Sequence, residues 1–115
     1  MQGYDSEKAL RYIKRNIDSR AFSALGPALD SILRQAQEAD LRYMRENSVL
    51  DEDGFEGDGY YDEDEAFEYI VEEIVRLRGL DDDQAILAAA VVDAYRGAQD
   101  AFLRSEGLAG GEDGE

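Results

Sequence analysis

Cysteine and histidine are both absent from the 115-residue chain. Without cysteine there is no disulfide framework, iron–sulfur cluster, zinc–cysteine site or thiol nucleophile. Without histidine there is no Ser-His-Asp triad and no His/Glu di-iron site. The lack of cysteine also fits a reducing compartment. Long apolar runs are missing too. The longest spans residues 85–92, far short of a bilayer crossing. Residues 1–7 lack the charged-then-apolar layout of a signal peptide. A cytoplasmic protein with no membrane contact is therefore expected. No segment alternates apolar and polar residues long enough to propose a sheet, and no repeat of fixed period is visible.

What is present is negative charge, spread unevenly. The net charge is −16. Residues 1–45 carry six acids and eight bases, whereas residues 46–75 carry thirteen acids and no base. Residues 76–115 carry nine acids and four bases. Direct binding to nucleic acid or an anionic membrane needs Lys and Arg gathered on one surface, so neither is expected.

Apolar residues recur at helical spacing in four stretches. The first helix is expected over residues 6–19, with Leu10, Ile13 and Ile17 inward. Asp5 or Ser6 caps it, and Glu7–Arg11 and Lys14–Asp18 pair on its outer face. Residues 20–25 extend it or form a short helix of their own. Gly26-Pro27 interrupts the pattern, and a second helix follows over residues 27–46, with Leu29, Ile32, Leu33, Ala36, Ala39 and Tyr43 as its stripe. Residues 47–61 read as a long acidic, glycine-broken loop. The third helix is expected over residues 62–78, with Phe67, Ile70, Val71, Ile74 and Leu77 inward and Gly79 as a left-handed C-cap. The fourth covers residues 82–105, opened by an Asp81/Gln84 capping box with Leu80 as staple. On it Asp93, Arg96, Asp100 and Arg104 read as a solvated strip of paired charges.

The fold expected is all-α: a four-helix bundle or close variant with a long acidic loop between helices 2 and 3. Residues 1–106 form a single helical domain, and residues 107–115 a disordered acidic tail. Residues 85–92 are apolar nearly all round, which marks a central helix or a subunit interface, so a homodimer is expected.

Three stretches invite a chemical reading. Residues 54–65 resemble an EF-hand loop with Gly59 at the sixth position. Glu56, Asp58, Asp62 and Glu65 then fall at the third, fifth, ninth and twelfth, as candidate calcium ligands. Gly54 stands at the first position, where the pattern has its anchoring aspartate. Phe22-Ser23-Ala24-Leu25-Gly26 followed by Asp30-Ser31-Ile32-Leu33 resembles the attachment site of acyl and peptidyl carrier proteins. That resemblance implies a phosphopantetheine on Ser31. Pro27-Ala28-Leu29 lengthens the spacing, and Pro27 should start the helix early, leaving Ser31 inside its first turns. Core leucines beside a surface serine are the plainer account. On helix 3, Glu65, Glu68, Glu72 and Glu73 are expected opposite the apolar stripe, facing solvent rather than converging on a metal or substrate.

The acidic block itself supplies the leading reading. Phe55, Tyr60, Tyr61 and Tyr69 are interspersed among its acids, and a run that only solubilises has no need of aromatics. Acidic helical proteins of this size include toxin immunity proteins, anti-restriction inhibitors and regulators, an analogy of composition alone. The expectation is a non-enzymatic protein without cofactor that binds a basic partner surface. Phe55, Asp58, Tyr60, Tyr61, Asp62 and Asp64 form the contact. The alternative is a calcium-responsive module using the same loop.

Overall fold

Residues 5–18, 20–50 and 59–105 are described by the structure, a computed structural model. The acidic tail expected over residues 107–115 lies outside them, as do Phe55, Glu56 and Asp58. The fold is all-α, a bundle of α1 (Ser6–Asn16), α2 (Ala28–Glu46), α3 (Glu63–Arg78) and α4 (Asp82–Ser105). A single turn of 3₁₀ helix, Ser23–Leu25, lies between α1 and α2. Among the described residues there is no strand, and no helix is long and apolar enough to cross a membrane.

Each helix starts and stops for a local reason. Asp5 caps α1 by accepting from the Lys8 N–H at 3.1 Å. The helix ends at Asn16, short of the expected residue 19, because Ile17 turns to extended backbone and the Asp18 side chain accepts from the Arg20 N–H. Pro27 takes helical dihedrals ahead of α2, whose first residue is Ala28. Asp62 is the N-cap of α3, accepting from the Glu65 N–H at 3.1 Å. Gly79 closes α3 at φ 62°, with its N–H on the Val75 carbonyl. The capping box of α4 is reciprocal: Gln84 N–H to Asp81 Oδ1 at 2.8 Å, and Asp81 N–H to Gln84 Oε1 at 3.0 Å.

The apolar stripes meet in one main core. Leu10 and Ile13 of α1, Ile32, Leu33 and Ala36 of α2, Ile70 and Ile74 of α3 and Val91, Val92 and Tyr95 of α4 are all buried there. Such burial is worth about 1.5–3 kcal/mol for each large side chain. A second cluster, with Tyr43, Met44, Val49, Leu50, Ala66 and Leu103, seals the end of the bundle where α2 stops.

The ion pairs differ from those expected along α1. Lys14 reaches across to Asp30 rather than down to Asp18, and Glu7 lies 3.9 Å from Arg34 rather than pairing with Arg11. Both tie α1 to α2, because the two outer faces lie side by side. The 85–92 segment is absorbed within the chain only on one side: Ala88, Val91 and Val92 are buried, and Ile86 at 70 % exposure and Ala90 face out. Ala85, Leu87 and Ala89 are half-buried.

Candidate functional site at the entry of α3

After α2 the chain passes Ser48, held at φ 58°, and buries Val49 and Leu50 at 2 % exposure each. It is described again at Gly59, whose N–H bonds back to the Ser48 carbonyl at 2.7 Å. Only glycine fits here. A Cβ on residue 59 would stand 1.7 Å from the Asn47 carbonyl oxygen. The stretch 59–62 then enters α3 with two adjacent tyrosines that part company. Tyr60 is 81 % exposed, while Tyr61 turns inward.

Tyr61 leads to the most polar part of the interior. Its hydroxyl donates to Asp40 Oδ1 at 2.7 Å. Asp40, on α2, has no exposed surface at all. Its Oδ2 accepts from the Tyr95 hydroxyl at 2.8 Å and from Gln99 Nε2 at 3.3 Å, both on α4. Gln99 Nε2 also lies 2.8 Å from the Tyr95 hydroxyl oxygen. The Arg96 guanidinium covers the Tyr61 ring, 4.8 Å from its centroid. Tyr43 meets the same ring edge-on, with centroids 5.6 Å apart.

Burial raises the Asp40 carboxyl above the usual carboxylate range, although Tyr61, Tyr95, Gln99 and the Arg96 charge all favour its ionised form. Burial, reinforced by the neighbouring Asp40 charge, likewise raises the Tyr61 hydroxyl. Tyr43 is pushed up to about 12 by burial and by its 2.8 Å hydrogen bond to Glu65.

Several expected site residues are committed to structure. Tyr61 is half-buried, and its hydroxyl is engaged with Asp40. Asp62 spends its side chain capping α3, and Glu65 accepts from Tyr43. Tyr69 is half-buried beside Tyr43, with Arg42 Nη1 at 3.4 Å from its hydroxyl. Glu73 does not face solvent. Its side chain is 19 % exposed and takes Arg76 at 2.7 Å and Arg42 at 3.4 Å. Arg96 leaves the solvated strip for the Tyr61 ring, because its position on α4 looks toward the entry of α3. The strip keeps Asp100 with Arg104 at 3.0 Å and the exposed Asp93. Among the described residues no three carboxylates converge as a metal site would require. Ser31 is exposed in the first turns of α2 and accepts from Arg78 Nη1 at 3.0 Å.

Comparison with protein-family models, with curated proteins and with solved structures gives no match.

The surface around Tyr60 is what remains available. Glu63, Asp64, Glu68 and Glu72 are exposed on α3. Among the described residues none of the four has an ion-pair partner, whereas Asp30 and Glu73 each have two and Asp100 has one. Asp40 went unnoticed in the sequence although a signal was there. Leu33, Ala36, Gln37, Asp40 and Met44 lie at core spacing on α2, as do Val92, Tyr95, Gln99 and Phe102 on α4. Polar residues at core positions of two facing helices imply one another, since neither is tolerated unbonded.

Proposed function

We propose that the protein is a non-enzymatic interaction module that binds a basic protein surface through Tyr60 and the acidic face of α3, including Asp64. The observation that supports this is the contrast between neighbours. Tyr61 fixes the segment through Asp40, Arg96 and Tyr43, and Tyr60 beside it stands 81 % exposed next to unpaired carboxylates. An aromatic side chain held out from a rigid mount loses little freedom on binding. Carboxylates around it speed encounter with a cationic surface, and the ring supplies contact area that salt does not screen.

The test is capture from extracts of the native host at low and high salt, followed by rate measurements on the captured partner. Glu63→Lys/Asp64→Lys/Glu68→Lys should slow association by about tenfold at low salt, and Tyr60→Ala should mainly speed dissociation. Asp62 and Tyr61 are left unaltered, since changing them would uncap α3 or open the core. A partner indifferent to both variants rules the reading out.

A further inference from the structure

The early end of α1 leaves a gap in the wall of the bundle. Ile17 turns to extended backbone, and the chain swings out through the 3₁₀ turn Ser23–Leu25 before Pro27 leads into α2. Between the end of α1 and the first turns of α2 lies an open cleft of about 260 Å³, lined by Lys14, Ile17, Gly26, Leu29, Asp30 and Leu33. Leu33, buried, is its floor, and the half-buried Ile17 and Leu29 are its walls. At Gly26 a Cβ would meet nothing within 4 Å, so no side chain closes the cleft on that side. The cleft sits at the start of α2, whereas Tyr60 follows the Ser48–Gly59 contact at the end of that helix.

The charged groups of the cleft are not equivalent. Asp30 holds two cations: Arg34 Nε lies 2.9 Å from Oδ2, and Lys14 pairs with Oδ1. Lys14 lines the cleft and Arg34 does not. When Lys14 turns to another anion, Asp30 keeps Arg34, and the ion pair given up is a partly exposed one of little strength. A ligand ammonium, by contrast, would have to share a carboxylate that is already doubly paired. The cleft thus offers apolar walls and one cation free to change partners. Its volume falls just below the range of about 300–1,000 Å³ that holds drug-sized ligands, so it suits a smaller molecule.

We propose that this cleft binds a small amphipathic carboxylate, with its apolar tail against Ile17, Leu29 and Leu33 and its carboxylate accepting from Lys14 Nζ. Binding is non-covalent: Lys14 exchanges Asp30 for the ligand, and Arg34 stays on Asp30. The tail and the three side chains remove apolar surface from water. The head gains a charge-assisted hydrogen bond at the rim. The site is independent of a basic partner at Tyr60.

Sodium octanoate is the probe, below its micelle concentration and at neutral pH, with octylamine and 1-octanol as controls that share its tail. Salt is held at about 0.15 M, where a Debye length of about 8 Å limits the reach of the net charge. Nuclear magnetic resonance on the labelled full chain reads the binding. Octanoate should shift the methyl signals of Ile17, Leu29 and Leu33 saturably, with Overhauser contacts from its chain to them. Octylamine and octanol should bind the same methyls about tenfold more weakly or worse. Lys14→Gln should weaken octanoate about tenfold and leave octanol unchanged, which separates loss of the cation from damage to the cleft. Lys14→Arg, which keeps the cation, should retain octanoate binding. Octanoate without saturable shifts at those methyls, either control binding as tightly as octanoate, or an octanoate affinity unchanged in Lys14→Gln overturns the proposal.

Discussion

Two glycines show how differently one residue type is used. At Gly59 the backbone passes so close to residue 47 that a Cβ would fall 1.7 Å from the Asn47 carbonyl oxygen. The Ser48–Gly59 hydrogen bond and the seat of Tyr61 depend on that approach. At Gly97, inside α4, an added Cβ meets nothing within 4 Å. Gly59→Ala should therefore destabilise by about 2 kcal/mol or more, through displaced backbone and a loosened Tyr61. Gly97→Ala should stabilise by about 0.5–1 kcal/mol, by reducing the freedom of the unfolded chain. Denaturant unfolding of the pair checks both signs. Equal effects would mean that the passage at residue 59 is not tight.

At the scale of elements, the ends of α3 and α4 are governed by nearby residues. Asp81→Ala removes the side-chain half of a reciprocal box and should cost about 1 kcal/mol. Val91→Asp sets an unpaired carboxylate at a fully buried position and should cost about 4 kcal/mol or more, leaving little cooperative unfolding to observe. An Asp81→Ala loss as large as that of Val91→Asp would show that the cap does more than end a helix. This contrast also marks what the sequence could disclose. The Asp81/Gln84 box and Gly79 are local signals, so the bounds of α4 and the C-cap of α3 were readable from a few adjacent residues. The stripes led by Ile32, Ile70 and Val91 were readable from spacing alone, and with them the four-helix architecture. The end of α1 was not, because an Asp18 side chain competing for the Arg20 N–H looks like helix continuation until the backbone turns. Nor were Tyr61 and Arg96. Their placement depends on which helices face each other, and both look like ordinary surface residues along the chain. Asp40 lay between these cases, at core spacing on α2, with its donors Tyr95 and Gln99 more than fifty residues away.

Over the whole molecule, the fold uses Lys14, Arg34 and Arg42 as stitches. Lys14 and Arg34 meet at Asp30, holding its carboxyl below the usual range, and Arg42 joins α2 to Glu73 on α3. Those pairs are exposed or half-exposed, and solvent screening leaves each of them weak. They do not offset a net charge of −16. Glu63, Asp64, Glu68 and Glu72 share one helix without ion-pair partners among the described residues, and like charges at such spacing repel. Salt acts on both terms with opposite signs. It weakens the stitches, which lowers stability, and it screens the net repulsion, which raises it. Repulsion reaches across the molecule when the Debye length is about 30 Å, near 0.01 M salt, and is cut to contact range when that length is about 3 Å, near 1 M. The excess of acids is many charges and the stitches are few, so screening should dominate. The melting temperature should rise from 0.01 M to 0.5 M sodium chloride by about 4–8 °C, the shift expected for roughly 1 kcal/mol in a domain of this length. Calcium chloride at matched ionic strength separates condensation from coordination. A rise equal to that in sodium chloride is screening alone. A larger rise that saturates at micromolar to millimolar calcium would show a specific site and would favour the calcium-responsive alternative over a basic partner. A fall with sodium chloride would mean that the stitches at Asp30 and Glu73 outweigh the repulsion, and that the acidic face of α3 carries less electrostatic strain than a basic partner would need to relieve.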